Sequence, residues 1–231
     1  MKPGLLIRRA GRVLALGLSL GLALLLGWAM FDLPPSAVRL PEQVAERLAE
    51  TGVSHPVTAV LLDFRGYDTL LEVGVLLLAV IGVLATRAEV RDGVEPAPEP
   101  VLLALARVTV PLMVVVAGYL LWAGAHRPGG AFQAGAVLAA SGVLLRLVGR
   151  LPAWATPGLT MRLGLAVGLL IFLIVAAGVM VGGVTLLDYP RELAGGLILL
   201  IEAGLAVSIG LTLAGLFLSA PAPGAHRENP S

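Results

Sequence analysis

The chain has 231 residues, of which 58% are hydrophobic and 13% charged, with 29 glycines, no cysteine and a formal net charge of +1. A soluble domain carries about a quarter charged residues, so this composition excludes a water-coated globule and points to an integral membrane protein. The absence of cysteine excludes disulfides, thiolate metal sites and thiol nucleophiles, His55, His126 and His226 are too scattered for a metal cluster, and the near balance of charge argues against nucleic acid as a partner.

A membrane-spanning helix needs about 20 apolar residues at a rise of about 1.5 Å each. That ruler predicts spans at Val13–Met30, Leu70–Ala85, Val101–Ala123, Ala131–Val148, Leu163–Leu187 and Ala194–Leu218. The expected fold is an all-α polytopic membrane protein with about six transmembrane helices. Arg8, Arg9 and Arg12 ahead of the first apolar run imitate a signal peptide, yet the run exceeds a signal core and no small-x-small site precedes Asp32, so it reads as a retained span. With the N-terminus inside, Lys2, Arg8, Arg9, Arg12, Arg87, Arg91, Arg146, Arg150, Arg162 and Arg227 are cytoplasmic, with Arg107 near the inner end of its span. Only Arg39, Arg47, Arg65, Arg127 and Arg191 fall outside, which puts both termini in the cytoplasm.

After the first span, Leu33 to His55 reads as an outer loop in which Pro41 starts a short helix through Glu50, resting on the membrane surface or on a partner. The run Val57–Leu62 either extends the short second span or forms a re-entrant or interfacial piece. Pro- and acid-rich residues 89–100 read as a cytoplasmic linker between a two-span region, 1–88, and a four-span region, 101–220, with a flexible tail at 221–231. No internal repeat relates the halves, so the inverted-repeat design of many carriers is not visible. Small residues four apart, at Gly17/Gly21, Gly164/Gly168 and Gly178/Gly182, predict close helix approaches.

A charge within hydrocarbon costs several kcal/mol by most estimates and so needs a reason. The stretch Asp63-Phe64-Arg65-Gly66-Tyr67-Asp68-Thr69, followed by Glu72, is densely polar, and Asp68 and Glu72 share a helix face. One reading is a capped helix start, with Asp68 or Thr69 as N-cap and Glu72 in the first turn; the other is a carboxylate feeding a cation or proton path. Glu202 lies eight residues beyond Ala194, about 12 Å into the last span. There it is protonated or paired, its partner being Arg107, Ser208 or a neighbouring protein of an assembly, and serves either ion handling or a neutral interhelical hydrogen bond. The hinge Gly124–Gly135, rich in glycine around Pro128, is expected outside the membrane, and without a following Lys-Ser/Thr it is no phosphate loop. No nucleophile, base and orienting acid come together, so no enzyme, metal site or resident cofactor is expected.

Two segments carry a family resemblance. His55-Pro56-Val57-Thr58 through Asp63, Arg65, Gly66, Asp68 and Glu72 resembles the C-terminal end of the large subunit of Mrp-type multisubunit Na+/H+ antiporters and the matching small subunit of membrane-bound hydrogenases. From His126 onward the chain resembles the MnhB subunit of the same antiporters, as though the two had been fused. Pro128-Gly129-Gly130-Ala131-Phe132-Gln133-Ala134-Gly135 is similar to the PGGGF-type motif of MnhB, with Ala131 in place of a third glycine, and Glu202-Ala203-Gly204 to its closing acidic stretch. The resemblance implies an accessory subunit in a bacterial inner-membrane assembly related to complex I, in contact with lipid and other subunits. There Asp63, Asp68, Glu72 and Glu202 line a path for transported Na+ or H+, or fix helices. It leaves open a hydrogenase-like or other redox-driven pump, and, in another class, a purely structural scaffold.

Overall fold

The computed structural model describes residues 3–32, 39–86, 99–150, 158–181 and 186–219; the linker up to residue 98 and the C-terminal tail lie outside them. The chain forms two compact units, Met1–Glu42 and Gln43–Ser231. Among the described residues all regular structure is helical, with five helices long and apolar enough to span a membrane and a shorter apolar one, as expected of a polytopic membrane protein.

The first unit is α1 (Pro3–Phe31), apolar on all faces after Arg12, with the Asp32 N–H closing its last turn on the Trp28 carbonyl at 3.0 Å. Arg39 and Glu42 form an exposed ion pair of 2.9 Å, a contact worth little in water.

The second unit begins within α2 (Leu40–Arg47), which tightens into a 3-10 turn at Leu48–Glu50. Then come α3 (Pro56–Ala59), which runs into a π turn at Val60–Phe64, α4 (Gly66–Thr86), α5 (Pro100–Ala123), α6 (Ala131–Leu147), α7 (Leu159–Val181) and α8 (Arg191–Ser219). The run Val57–Leu62 is therefore a separate short helical piece. It ends where the Arg65 N–H reaches back five residues to the Val60 carbonyl, at 2.8 Å.

α8 is the central helix and packs against α4, α5, α6 and α7. Phe172, Ile198, Ile201, Leu205 and Ile209 are fully buried there. Lipid tails are as apolar as leucine, so close approach must supply what water would otherwise drive. Glycines provide it. A Cβ at Gly135 would stand 2.9 Å from Ile209 Cγ2, one at Gly204 2.8 Å from Ile171 Cδ1, and one at Gly168 2.9 Å from the Gly204 carbonyl oxygen. Gly164 likewise abuts Leu211, whereas Gly17, Gly21 and Gly178 have open space beside them and Gly182 lies outside the described residues. The contacts run Gly135 to Ile209 and Gly142 to Ala214, but Gly168 to Leu205 and Gly164 to Leu211. α6 is thus parallel to α8 and α7 antiparallel to it.

Several boundaries differ from expectation, and two of the differences have a visible local cause. The fifth span does not continue as helix to Leu187: α7 is described up to Val181, and Leu187 has φ 66°, a left-handed backbone that no right-handed helix contains. The last helix begins three residues earlier than its apolar pattern, because the Pro190 carbonyl accepts from the Leu193 and Ala194 N–H groups, each at 2.9 Å.

Candidate functional site

The turn between α5 and α6 folds back onto the end of α5. The Gly130 N–H donates to the Leu120 carbonyl at 2.8 Å, and a Cβ at Gly124 would lie 2.7 Å from Gly130 N, while one at Gly129 would collide with the Leu120 carbonyl. Pro128 sits exposed at its tip. Carbonyls of this turn are taken by the segment before α3 and by α3 itself: the Ser54 and His55 N–H groups both donate to Ala125 O at 3.1 Å, and Thr58 Oγ1 to Gly124 O at 2.5 Å. Away from water such groups must find partners within the protein.

This turn is not level with the start of α8. Gly52 lies beside Ala194 and Gly195, whereas Ala131, the first residue of α6, lies beside Glu202, about 12 Å further along the helix. The hinge expected outside the membrane therefore reaches the depth of the buried acid, with the segment 51–64 filling the space above it.

Gly130 precedes α6 with φ 99° and has no side chain to cap the helix. Glu202 of α8 takes that part: its Oε1 accepts from the Ala131 N–H at 3.4 Å, long for such a bond. A carboxylate at a helix N-terminus also meets the positive end of the helix dipole. Glu202 is only 5% exposed, and its Oε2 has no hydrogen-bond partner. Neither Arg107, which is exposed, nor Ser208, whose hydroxyl donates to the Leu205 carbonyl at 3.2 Å, pairs with it.

Glu202 opens onto a cavity of about 220 Å³, shared with Glu72, Thr58, Thr69, Phe132 and Gln133. At about 30 Å³ per water molecule it has room for an ion and several waters. Glu72 and Gln133 are exposed and form its mouth on the flank of the bundle. Two of the four acids singled out in the sequence, Glu72 and Glu202, thus line one cavity. A wider hollow of about 500 Å³ near Trp122 and His126 is lined without any carboxylate, so it is not the candidate.

The remaining polar stretch divides. Asp68 is ion-paired with Arg65 at the surface. Neither Asp68 nor Thr69 caps α4, which already starts at Gly66; Thr69 Oγ1 instead donates to the Leu61 carbonyl at 2.6 Å and ties α4 to the π turn. Glu72 consequently falls beyond the first turn. Gly66 leaves space for Leu187, whose Cδ1 would lie 2.8 Å from a Cβ there. That seat brings the following residues towards Asp63, whose carboxyl is pushed up to about 6 by burial and then by the charge of Asp188. Burial, and then the charge of Asp63, also push the Tyr189 hydroxyl up, so that it stays protonated. Asp188 and Tyr189 escape a reading of the sequence because Leu187 passes for the end of a span, although the Tyr189-Pro190 step is a turn signal.

Residues 101–219, half of the chain, match the family described as a domain related to the MnhB subunit of Na+/H+ antiporter. The chain belongs to this family. Within the MnhB-related region lie the Gly129-Gly130 turn, α6 and Glu202. No curated protein matches the chain. Among solved structures it is similar to a chain of the membrane-bound sulfane sulfur reductase, an archaeal respiratory membrane complex, with TM-score 0.70 and 24% identity over 91% of this chain and 97% of that one. It is also similar to a chain of the Mrp complex from Dietzia sp. DQ12-45-1b, with TM-score 0.63 and 22% identity over 95% of this chain but 26% of that one. At such identities the likeness is one of fold. This MnhB-family protein is a multi-pass membrane protein whose fold occurs in multisubunit membrane complexes.

Proposed function

We propose that the chain is an accessory membrane subunit of an Mrp-type multisubunit cation/proton antiporter, contributing to Na+/H+ exchange through the Glu72–Glu202 cavity at a boundary between subunits. One observation carries this reading: a buried carboxyl with an unpartnered oxygen lines a cavity whose mouth holds a second carboxyl. Glu72 on a lipid-facing flank is costly, and a neighbouring protein seated over the mouth removes that cost. Asp63, just before α4, and Asp68, in its first turn, stand at the end of the bundle where the span Gly66–Ala85 begins and collect cations for the chamber.

Single Glu72→Gln and Glu202→Gln substitutions in the assembled complex test the reading. Sodium-driven proton exchange in vesicles is expected to fall at least about tenfold, equivalent to about 1.4 kcal/mol, while the complex keeps its mass in mild detergent. Full exchange by both variants at every pH, with dissolution of the complex on deleting the chain, assigns it a scaffold role instead.

A second reading is a subunit of a redox-driven ion pump, favoured by the end-to-end match to a chain of the sulfane sulfur reductase complex. The same cavity would serve, driven by electron transfer elsewhere. Iron–sulfur proteins that copurify with the chain decide for this reading, and a full antiporter set decides for the first.

A further inference from the structure

The wider hollow stands apart from the Glu72–Glu202 chamber and lies wholly within the second unit. It holds about 500 Å³ between the end of α5, the start of α8 and the segment that follows α2. Its walls are the apolar side chains Leu48, Val53, Trp122 and Leu199, over a floor of bare backbone at Gly195 and Gly196. A Cβ at Gly196 meets nothing within 4 Å, so the missing side chain is part of the space. A concave, mostly apolar site of this size with a few polar groups is the common form of a small-molecule pocket. The polar side chains here are Ser54 and His126.

Depth and charge select the occupant. The span of α8 runs 27 residues from Arg191, about 40 Å against roughly 30 Å of hydrocarbon, so its first turn lies among lipid headgroups. Gly195 and Leu199, about 6 and 12 Å along the helix, then bracket the border between headgroups and acyl chains. Tyr119, Trp122 and His126 form a ladder of rings on the α5 side, with successive centroids 6.2 Å apart, and Trp and Tyr collect at headgroup level. Arg127, which follows His126, is exposed and has no ion-pair partner among the described residues. Glu50 and Glu192 are exposed, and neither lines the hollow. A guanidinium beside an apolar hollow without a carboxylate complements a phosphate that carries acyl chains. We infer that the hollow holds one membrane phospholipid, with an acyl chain lying over Gly195 and Gly196 and the phosphate held by Arg127 and His126. This inference does not rest on the proposed function of the Glu72–Glu202 chamber.

The test is made on the full-length chain in its membrane complex, in mild detergent, with a phosphatidylglycerol that carries a photoreactive diazirine in one acyl chain. After illumination the labelled peptides are read by mass spectrometry. Saturable label on the peptides that hold the hollow's lining residues, displaced by unlabelled phosphatidylglycerol, is expected. Gly196→Leu puts a side chain into open space on a helix that favours leucine over glycine, so the protein stays folded. Label in the hollow should then fall at least about tenfold, while label beside the exposed Ile174 of α7 stays. Arg127→Gln should raise the half-saturating concentration about threefold, and a diacylglycerol probe, which lacks the phosphate, should bind as weakly to wild type as phosphatidylglycerol binds to that variant. Inorganic phosphate should leave the label in place. Label that does not saturate, label indifferent to Gly196→Leu, displacement by inorganic phosphate, or cross-links that join the hollow to another protein of the complex overturns the inference. Each of these results is independent of whether Glu72 and Glu202 conduct.

Discussion

Gly130 and Glu202 are matched: a Cβ at position 130 would stand 2.6 Å from Glu202 Oε1, so the acid occupies the place a side chain would take. The same glycine carries φ 99°. Gly130→Ala therefore strains the backbone and expels the carboxyl together, and is expected to cost about 2–4 kcal/mol. Thermal unfolding of the purified complex checks this; a variant as stable as wild type would mean the carboxyl and the turn are not in contact.

Thr58→Val should loosen the segment above the chamber. It removes the donor to the buried Gly124 carbonyl, with an expected loss of about 1–2 kcal/mol. Limited proteolysis between α2 and α4 is the readout, and cleavage should speed up without change elsewhere.

Two glycines separate contact from composition. Gly168→Ala drives a methyl into the backbone of Gly204 and Leu205, whereas Gly178→Ala meets nothing within 4 Å. The first is expected to destabilise by about 1–3 kcal/mol, and the second to stay within about 0.5 kcal/mol of wild type in detergent. Equal melting temperatures would refute the α7–α8 contact.

Asp63 supplies a pH signature. Its carboxyl, pushed up from 3.8 to about 6 by burial and by Asp188, favours the neutral form in the folded state. The favourable contribution is complete below pH 3.8 and lost as pH rises through 6. Asp63→Asn, neutral throughout, should thus gain stability over wild type above pH 6 and lose that advantage towards pH 4 in sodium-free buffer. Allowing for solvent screening of a half-exposed group, the gain is on the order of 1 kcal/mol.

The spans and the position of Glu202 inside the last of them were legible because apolar run length and an acid inside such a run are local features. The meeting of Glu72 with Glu202 was not: it depends on α8 lying against both α4 and α6, a long-range arrangement that no periodicity encodes. Thr69 shows the same limit at short range, since as a sequence it suits an N-cap, yet the π turn offers its hydroxyl the Leu61 carbonyl. Leu187 hid the turn holding Asp188 and Tyr189, because an apolar residue in a left-handed backbone looks like more span. Gly129 and Gly130 were visible as a hinge; that the hinge sinks to the level of Glu202 follows only from α6 starting beside the middle of α8.

That late start of α6 has an electrical consequence. On the proposed function, a charge that reaches Glu202 from the side on which α8 begins has passed eleven residues of a 29-residue helix, a little over a third of its length. Since a full crossing is worth about 2.3 kcal/mol per charge at 100 mV, occupancy of the acid should respond to membrane voltage with roughly that fraction, about 0.9 kcal/mol. Membrane potential would then tune loading of the chamber directly.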